Sequence, residues 1–120
     1  MEVTNIFKML SDKTRLRIVV LLFQGSLCVC ELEEILEVSQ VNISRHLMKL
    51  KENNIVKTKR TSRRIYYYLS KKIEDDKELY TLIEKIKTEN EYLVRDIKRY
   101  KDHVNSDNYY CEVLKKEDKK

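Results

Sequence analysis

A single glycine and no proline in 120 residues leave this chain almost nothing that breaks a helix. Its turns must be made by Asn, Asp and Ser, and the element boundaries fall where those residues interrupt an apolar periodicity. Val3, Ile6, Phe7 and Leu10 are spaced by three and four, which predicts a short helix over 3–10. Ser11-Asp12 supplies the cap of a second helix, which Leu16, Val19, Val20, Leu22 and Phe23 carry as far as Gly25. Residues 27–30 alternate apolar residues with Cys. A third helix follows, with Cys30 at the cap, Glu33 three residues on, and Leu32, Ile35 and Leu36 facing inward. Val38-Ser39 ends it, and Ser39 caps a fourth helix over 40–52.

Asn53-Asn54 tolerates the left-handed turn that closes that helix. Residues 55–60 and 64–69 then read as two strands joined by Thr61-Ser62-Arg63. On the second strand Ile65, Tyr67 and Leu69 share one face and Tyr66 and Tyr68 the other. That alternation makes Tyr67 a core residue and favours sheet packing over base stacking for the three tyrosines. The order predicts a mainly α fold with a small β-hairpin, a winged helix-turn-helix over 1–72.

A helix of about 30 residues is predicted over 75–104 within a second region, 73–104. Leu79, Ile83, Ile86, Leu93, Ile97 and Tyr100, with the polar Asn90 among them, form a heptad seam. The stripe can pack on its own domain, but a helix this long outruns so small a body, which favours pairing with a second subunit. The expected assembly is a homodimer through a long C-terminal dimerisation helix. Residues 105–120 are polar and read as a flexible tail.

The charge is not spread evenly. Residues 39–72 hold ten Lys and Arg against one acid, Glu52, a local charge of +9 within a total of +5. Residues 1–38 and 73–120 each carry two more acids than bases. Such segregation builds a polyanion site rather than a solubility coat, and it coincides with the helix and hairpin suited to duplex DNA. With Ile43, Leu47 and Leu50 inward, the fourth helix presents Gln40, Val41, Asn42, Ser44, Arg45, Met48 and Lys49. Arg forks onto guanine, Gln or Asn pairs with adenine, Ser bridges, and Val meets a thymine methyl. Lys49 and the hairpin residues Lys59, Arg60, Arg63 and Arg64 suit phosphates. His46 borders the core side, where a packed or phosphate-touching histidine is expected before a metal ligand.

Cys28-Val29-Cys30 is the other chemical feature. On a regular helix such positions diverge by roughly 200°; on extended backbone they share a face, roughly 7 Å apart. At a strand-to-helix junction the sulfurs can converge, and a helix N-terminus is expected to lower a thiolate pKa and prime ligation. Soft ions and trivalent arsenic or antimony suit thiolates. Cys111 is the one remaining sulfur of this kind, and Glu33, His46 and His103 are weaker candidates. The alternative is a pair of small buried apolar residues.

Other classes fit poorly. The apolar run Ile18–Phe23 is short for a signal peptide, and no stretch approaches the roughly 20 apolar residues of a membrane span. A cytoplasmic protein with no membrane partner is expected, and three cysteines do not suggest a disulfide framework. Without Cys-X-X-Cys or a Gly-rich phosphate loop, an enzyme is not expected.

Leu10-Ser11-Asp12-Lys13-Thr14-Arg15-Leu16-Arg17-Ile18, Leu27-Cys28-Val29-Cys30-Glu31-Leu32, Ser39-Gln40 to Ser44-Arg45-His46-Leu47, and Arg64-Ile65-Tyr66-Tyr67-Tyr68-Leu69 occur in order. Together they resemble the ArsR-type winged-helix metal-sensing repressors over about residues 6–70. The resemblance implies a homodimer that binds a double-stranded operator without a cofactor and is released by an inducer. The family's inducer thiols fall on Cys28 and Cys30, its reading helix on Gln40, Val41, Ser44 and Arg45, and its wing on Arg60, Arg63 and Arg64.

Departures from the family pattern bear on the inducer. Glu33 stands where many arsenic-responsive members have a third Cys, and no Cys precedes residue 28. The paired Asp/His motifs of zinc sensors are missing, Asp102-His103 coming nearest, and Thr61-Ser62 replaces a common wing Gly. These features favour As(III)/Sb(III) or another thiophilic ion at Cys28 and Cys30, with Cys111 as a third ligand. A redox- or sulfide-responsive repressor, or a constitutive DNA-binding protein with structural cysteines, are the alternatives.

Overall fold

A computed structural model describes residues 3–106. Seven helices and three strands follow in order: α1 (Val3–Leu10), α2 (Lys13–Gln24), β1 (Leu27–Cys28), α3 (Val29–Leu36), α4 (Gln40–Glu52), β2 (Val56–Arg60), β3 (Ile65–Leu69), α5 (Lys71–Glu74), α6 (Lys77–Glu89) and α7 (Glu91–Val104). The expected winged helix-turn-helix is present. No helix among the described residues is long and apolar enough to cross a membrane.

The core forms around α2, whose residues Ile18 to Leu21 are completely buried. Leu32 and Ile35 of α3, Ile43, Leu47 and Leu50 of α4, and Val56 and Leu69 of the sheet close around it. Asp12 caps α2 by accepting from the Arg15 N–H at 3.0 Å, and Gly25 ends it. Asn54 takes the left-handed backbone expected of it, φ 59°. Glu37 does so as well, φ 57°, ending α3 where the chain signals only Val38-Ser39. A non-glycine residue there costs about 1 kcal/mol or more, accepted because α4 must turn across α3.

The sheet order is β1-β3-β2, all antiparallel. Leu27 and Cys28 lie opposite Tyr67 and Tyr66, and Val56 to Arg60 lie opposite Leu69 to Ile65. This third strand corrects the expected burial pattern. Because β1 covers one edge of β3 at Tyr66 and Tyr67, Tyr66 is buried, Tyr67 is half-buried against the core, and Ile65 is exposed.

The largest correction lies beyond residue 73. The expected single helix is broken at Asn90, where φ −110° and ψ 123° are extended. Asn90 Nδ2 donates to the Ile86 carbonyl at 2.9 Å, sealing the end of α6. Its own carbonyl accepts from Leu93 and Val94 and starts α7. The break lets α7 pack back on its own chain. Leu93 joins Ile83 and Val20, Tyr100 enters the main core, and Ile97 packs against both clusters. All six seam residues therefore pack on the internal core: Ile83, Leu93 and Tyr100 are buried, and Leu79, Ile86 and Ile97 are half-buried against it.

Polar clasps hold α7 in place. Arg17 Nε and Nη2 donate to Asp96 Oδ2 and Oδ1 at 2.7 and 2.9 Å, both side chains buried. Arg17 Nη2 also reaches the Leu36 carbonyl, and Arg99 donates to the Ile35 and Glu34 carbonyls at 2.7 Å each. The last turn of α3, whose carbonyls have no partners within the helix, is thus satisfied by guanidinium groups from α2 and α7.

Candidate DNA-reading surface and thiol site

Ser39 caps α4, its hydroxyl accepting from the Asn42 N–H at 3.3 Å. The inward set Ile43, Leu47 and Leu50 fixes the rotation of the helix and turns Gln40, Val41, Ser44, Arg45, Met48 and Lys49 outward. Val41 is 75% exposed and Met48 64%, unusual for apolar side chains unless something else covers them. Arg45 Nη2 donates to Asn42 Oδ1 at 2.8 Å, which holds the guanidinium extended along the helix.

His46 faces the core side, as expected. Arg15 Nη1 donates to its Nδ1 at 3.3 Å, and its Nε2 lies 3.9 Å from Asp12. Burial lowers its pKa, Asp12 opposes the shift, and Arg15, Arg45 and Lys49 add to it, which favours the neutral ring. It ties α4 to the start of α2.

The hairpin tip is held by Thr61, whose N–H donates to the Arg64 carbonyl at 2.8 Å while its Oγ1 accepts from the Arg64 N–H at 3.3 Å. Hydroxyl chemistry at Thr61 closes the turn that a glycine often makes. Lys59, Arg60 and Arg63 are exposed there and Arg64 is half-buried.

Cys28 and Cys30 sit at the strand-to-helix junction, both free, Cys28 buried and Cys30 exposed. The cap of α3 is Cys28 rather than Cys30, because the strand ends at Cys28, two residues earlier than the alternation over 27–30 suggests. Glu31, not Glu33, reaches back and accepts from the Cys28 N–H at 3.1 Å. Glu31 is itself buried, and its Oε2 lies 2.7 Å from His103 Nε2 on α7. His103 also lies 3.6 Å from Glu34, so it is a structural partner of α3. The chain offered no signal for this link beyond an acid three residues past Cys28.

The expected lowering of the thiol pKa is overturned for Cys28. Burial pushes it from the ordinary 9.0 to about 12; the Glu31 N–H lowers it, but the Glu31 carboxylate and the neighbouring Cys30 raise it further. Desolvation outweighs the helix N-terminus. A thiol whose pKa rises on folding adds stability that is complete below pH 9 and is lost as pH climbs through 12. At pH 8, iodoacetamide is expected to label Cys30 of a Cys111→Ser protein while Cys28 reacts only after unfolding, as read by peptide mass spectrometry. Equal labelling of both in the folded state would show that Cys28 is not shielded.

A cleft of about 350 Å³ is lined by both cysteines and by Arg60, Thr61, Ser62, Arg63 and Arg64 of the wing. Among the described residues no group of three or more His, Cys, Asp or Glu is arranged to hold a metal ion. The donor set there is two sulfurs, which falls short of a tetrahedral cation site but suits a ligand that needs only two soft donors. Cys111 lies outside the described residues.

Residues 12–58 match the model for the bacterial regulatory protein, arsR family. The cadmium resistance transcriptional regulatory protein CadC homolog of Staphylococcus aureus is 41% identical over 86 residues, which cover 71% of this chain and 67% of that protein. The chain belongs to the ArsR family. The arsenical resistance operon repressor of Staphylococcus aureus is 40% identical to this ArsR-family chain over 75 residues, 62% of it and 72% of the relative. Among solved structures, the transcriptional repressor BigR from Xylella fastidiosa superposes with a TM-score of 0.61 at 32% identity, over 72% of this chain and 83% of that one. The protein is therefore a DNA-binding transcriptional regulator of a metal-sensing family, not an enzyme.

Proposed function

We propose that this ArsR-family regulator is a homodimeric repressor released from its operator when As(III) or Sb(III) engages Cys28 and Cys30. The observation that carries the reading is the strand pairing of Cys28 with Tyr66, which ties the thiol junction directly to the DNA-reading hairpin. Gln40, Val41, Asn42, Ser44 and Arg45 read bases, and Lys49, Lys59, Arg60, Arg63 and Arg64 hold phosphates.

A trivalent metalloid hydroxide matches the neutral Cys28 thiol. Each thiol that bonds to the metalloid displaces one hydroxyl, and its proton leaves with that hydroxyl as water. Two S–metalloid bonds form, two O–metalloid bonds break and two waters depart, with no net change of charge. A divalent cation instead expels two protons into solvent, which a thiol held near 12 resists. Cys111 is the third sulfur the chain can offer. Cd(II) is the second reading, favoured by the likeness to the staphylococcal cadmium regulator; the shielded Cys28 thiol argues against it.

The dimer is assigned to α1 and α6 rather than to the whole heptad seam. Val3, Phe7, Leu79, Leu82 and Ile86 line an apolar groove of about 400 Å³ between those helices. Phe7 is 66% exposed and Leu82 47%, a contiguous patch of the kind a second subunit covers.

The test is operator binding by fluorescence anisotropy, with and without arsenite. Arsenite is expected to weaken the native protein by about 5- to 150-fold, the usual range of such couplings. Cys28→Ser/Cys30→Ser should bind the operator as before and ignore arsenite. Release of that double variant by arsenite would reject the thiol assignment.

A further inference from the structure

We propose that the wing arginines Arg60, Arg63 and Arg64 act on the inducer as well as on DNA, selecting an uncharged metalloid hydroxide over a divalent cation at Cys28 and Cys30. This rests on the reading of those cysteines as the inducer thiols and adds what chooses between ligands.

The geometry comes from one strand pairing. Cys28 lies opposite Tyr66, so the residues that lead from the wing turn into β3 stand directly over the thiol junction. The two sulfur-bearing residues and the three arginines line the same cleft. The turn keeps its shape through the Thr61–Arg64 hydrogen bonds, so the guanidinium-bearing backbone cannot swing freely away. From Val56 to Leu69 there is no acidic residue, and Lys57 and Lys59 add to the same field. The acids nearest the thiols belong to α3. Glu31 is buried and already engaged by the Cys28 N–H and His103, and Glu33 is exposed on the helix surface.

A dication entering this cleft shares it with three like charges. An uncharged trihydroxide meets none of that repulsion. The selection is electrostatic and partly solvent-screened, so it should weaken as salt is added. A protein with the same two cysteines and a neutral wing would bind Cd(II) better.

The experiment uses the full-length reduced protein without DNA, so that any loss of operator binding does not enter. Cd(II) and arsenite affinities are measured through the ultraviolet absorption of their thiolate bonds. Arg60→Gln/Arg63→Gln/Arg64→Gln is expected to bind Cd(II) about tenfold more tightly at low salt, with arsenite affinity changed by less than about threefold. In the native protein Cd(II) affinity should rise as salt is raised, while arsenite affinity stays level. This second measurement needs no variant. Cd(II) affinity that is unchanged in the triple variant and falls or stays flat with salt overturns the proposal. If Cys28→Ser/Cys30→Ser binds arsenite as tightly as the native chain, the thiol reading itself falls. If that variant loses arsenite and the wing variant is silent, only the wing's role is rejected.

Discussion

Asp96→Ala is expected to cost about 3–5 kcal/mol of folding stability, because it strands the Arg17 guanidinium in the core. Arg17 donates two hydrogen bonds to Asp96 and a third to the Leu36 carbonyl, and Asp96 is wholly buried. The hydrogen bond to Asp96 is the main reason the Arg17 pKa is raised, with burial opposing it. Removing the carboxylate leaves desolvation uncompensated. Small domains are stable by only about 5–15 kcal/mol, so the loss is a large fraction of the total. Urea unfolding should show a much lower midpoint with an unchanged slope. The apolar double replacement Arg17→Met/Asp96→Leu should recover most of the stability, since it removes both charges together. An unfolding free energy within about 1 kcal/mol of native for Asp96→Ala would mean that water enters the site and solvates Arg17.

Leu82→Asp should produce a monomer whose operator affinity falls by about 100-fold or more. In the proposed dimer each subunit brings one α4 and one wing, and two joined subunits would engage two half-sites at a high effective concentration. Leu82 is exposed on α6 and lines the groove with Phe7 and Val3 of α1. A carboxylate there would be buried without a partner in any dimer built on that groove. Sedimentation equilibrium reads the mass, and anisotropy with operator DNA reads the affinity. Phe7→Asp, on the other helix of the groove, should do the same. Dimers that persist in both variants would move the interface to another face.

Much of this protein could be read along the chain. The inward triplet of Ile43, Leu47 and Leu50 set the rotation of α4, and with it the residues that face outward. The charge count located the wing, and the alternation at residues 27–30 located a strand-to-helix junction at the cysteines. These are local properties, carried by periodicity, caps and charge, and they survive whatever the rest of the chain does.

The C-terminal region could not be read that way. A heptad stripe with one Asn at position 90 is compatible with one long helix or with two that fold back. Periodicity specifies which face is apolar but not what covers it. The choice was made by the buried pair Arg17 and Asp96, 79 residues apart in the chain, together with Tyr100 entering the core. The capping role of Cys28 and its shielded thiol were hidden for a related reason, since they follow from β1 pairing with β3 and from Glu31 meeting His103.

Sequence alone determined the helix-and-hairpin order, the outward face of α4, the basic wing and the spacing of the two sulfurs, because short-range preferences and charge need no knowledge of the far end of the chain. Tertiary structure decided that α7 belongs to its own core, that α1 and α6 carry the open apolar groove, and that the two cysteines and the wing arginines line one cleft. Those outcomes depend on long-range burial and on which polar groups find partners when the layers close.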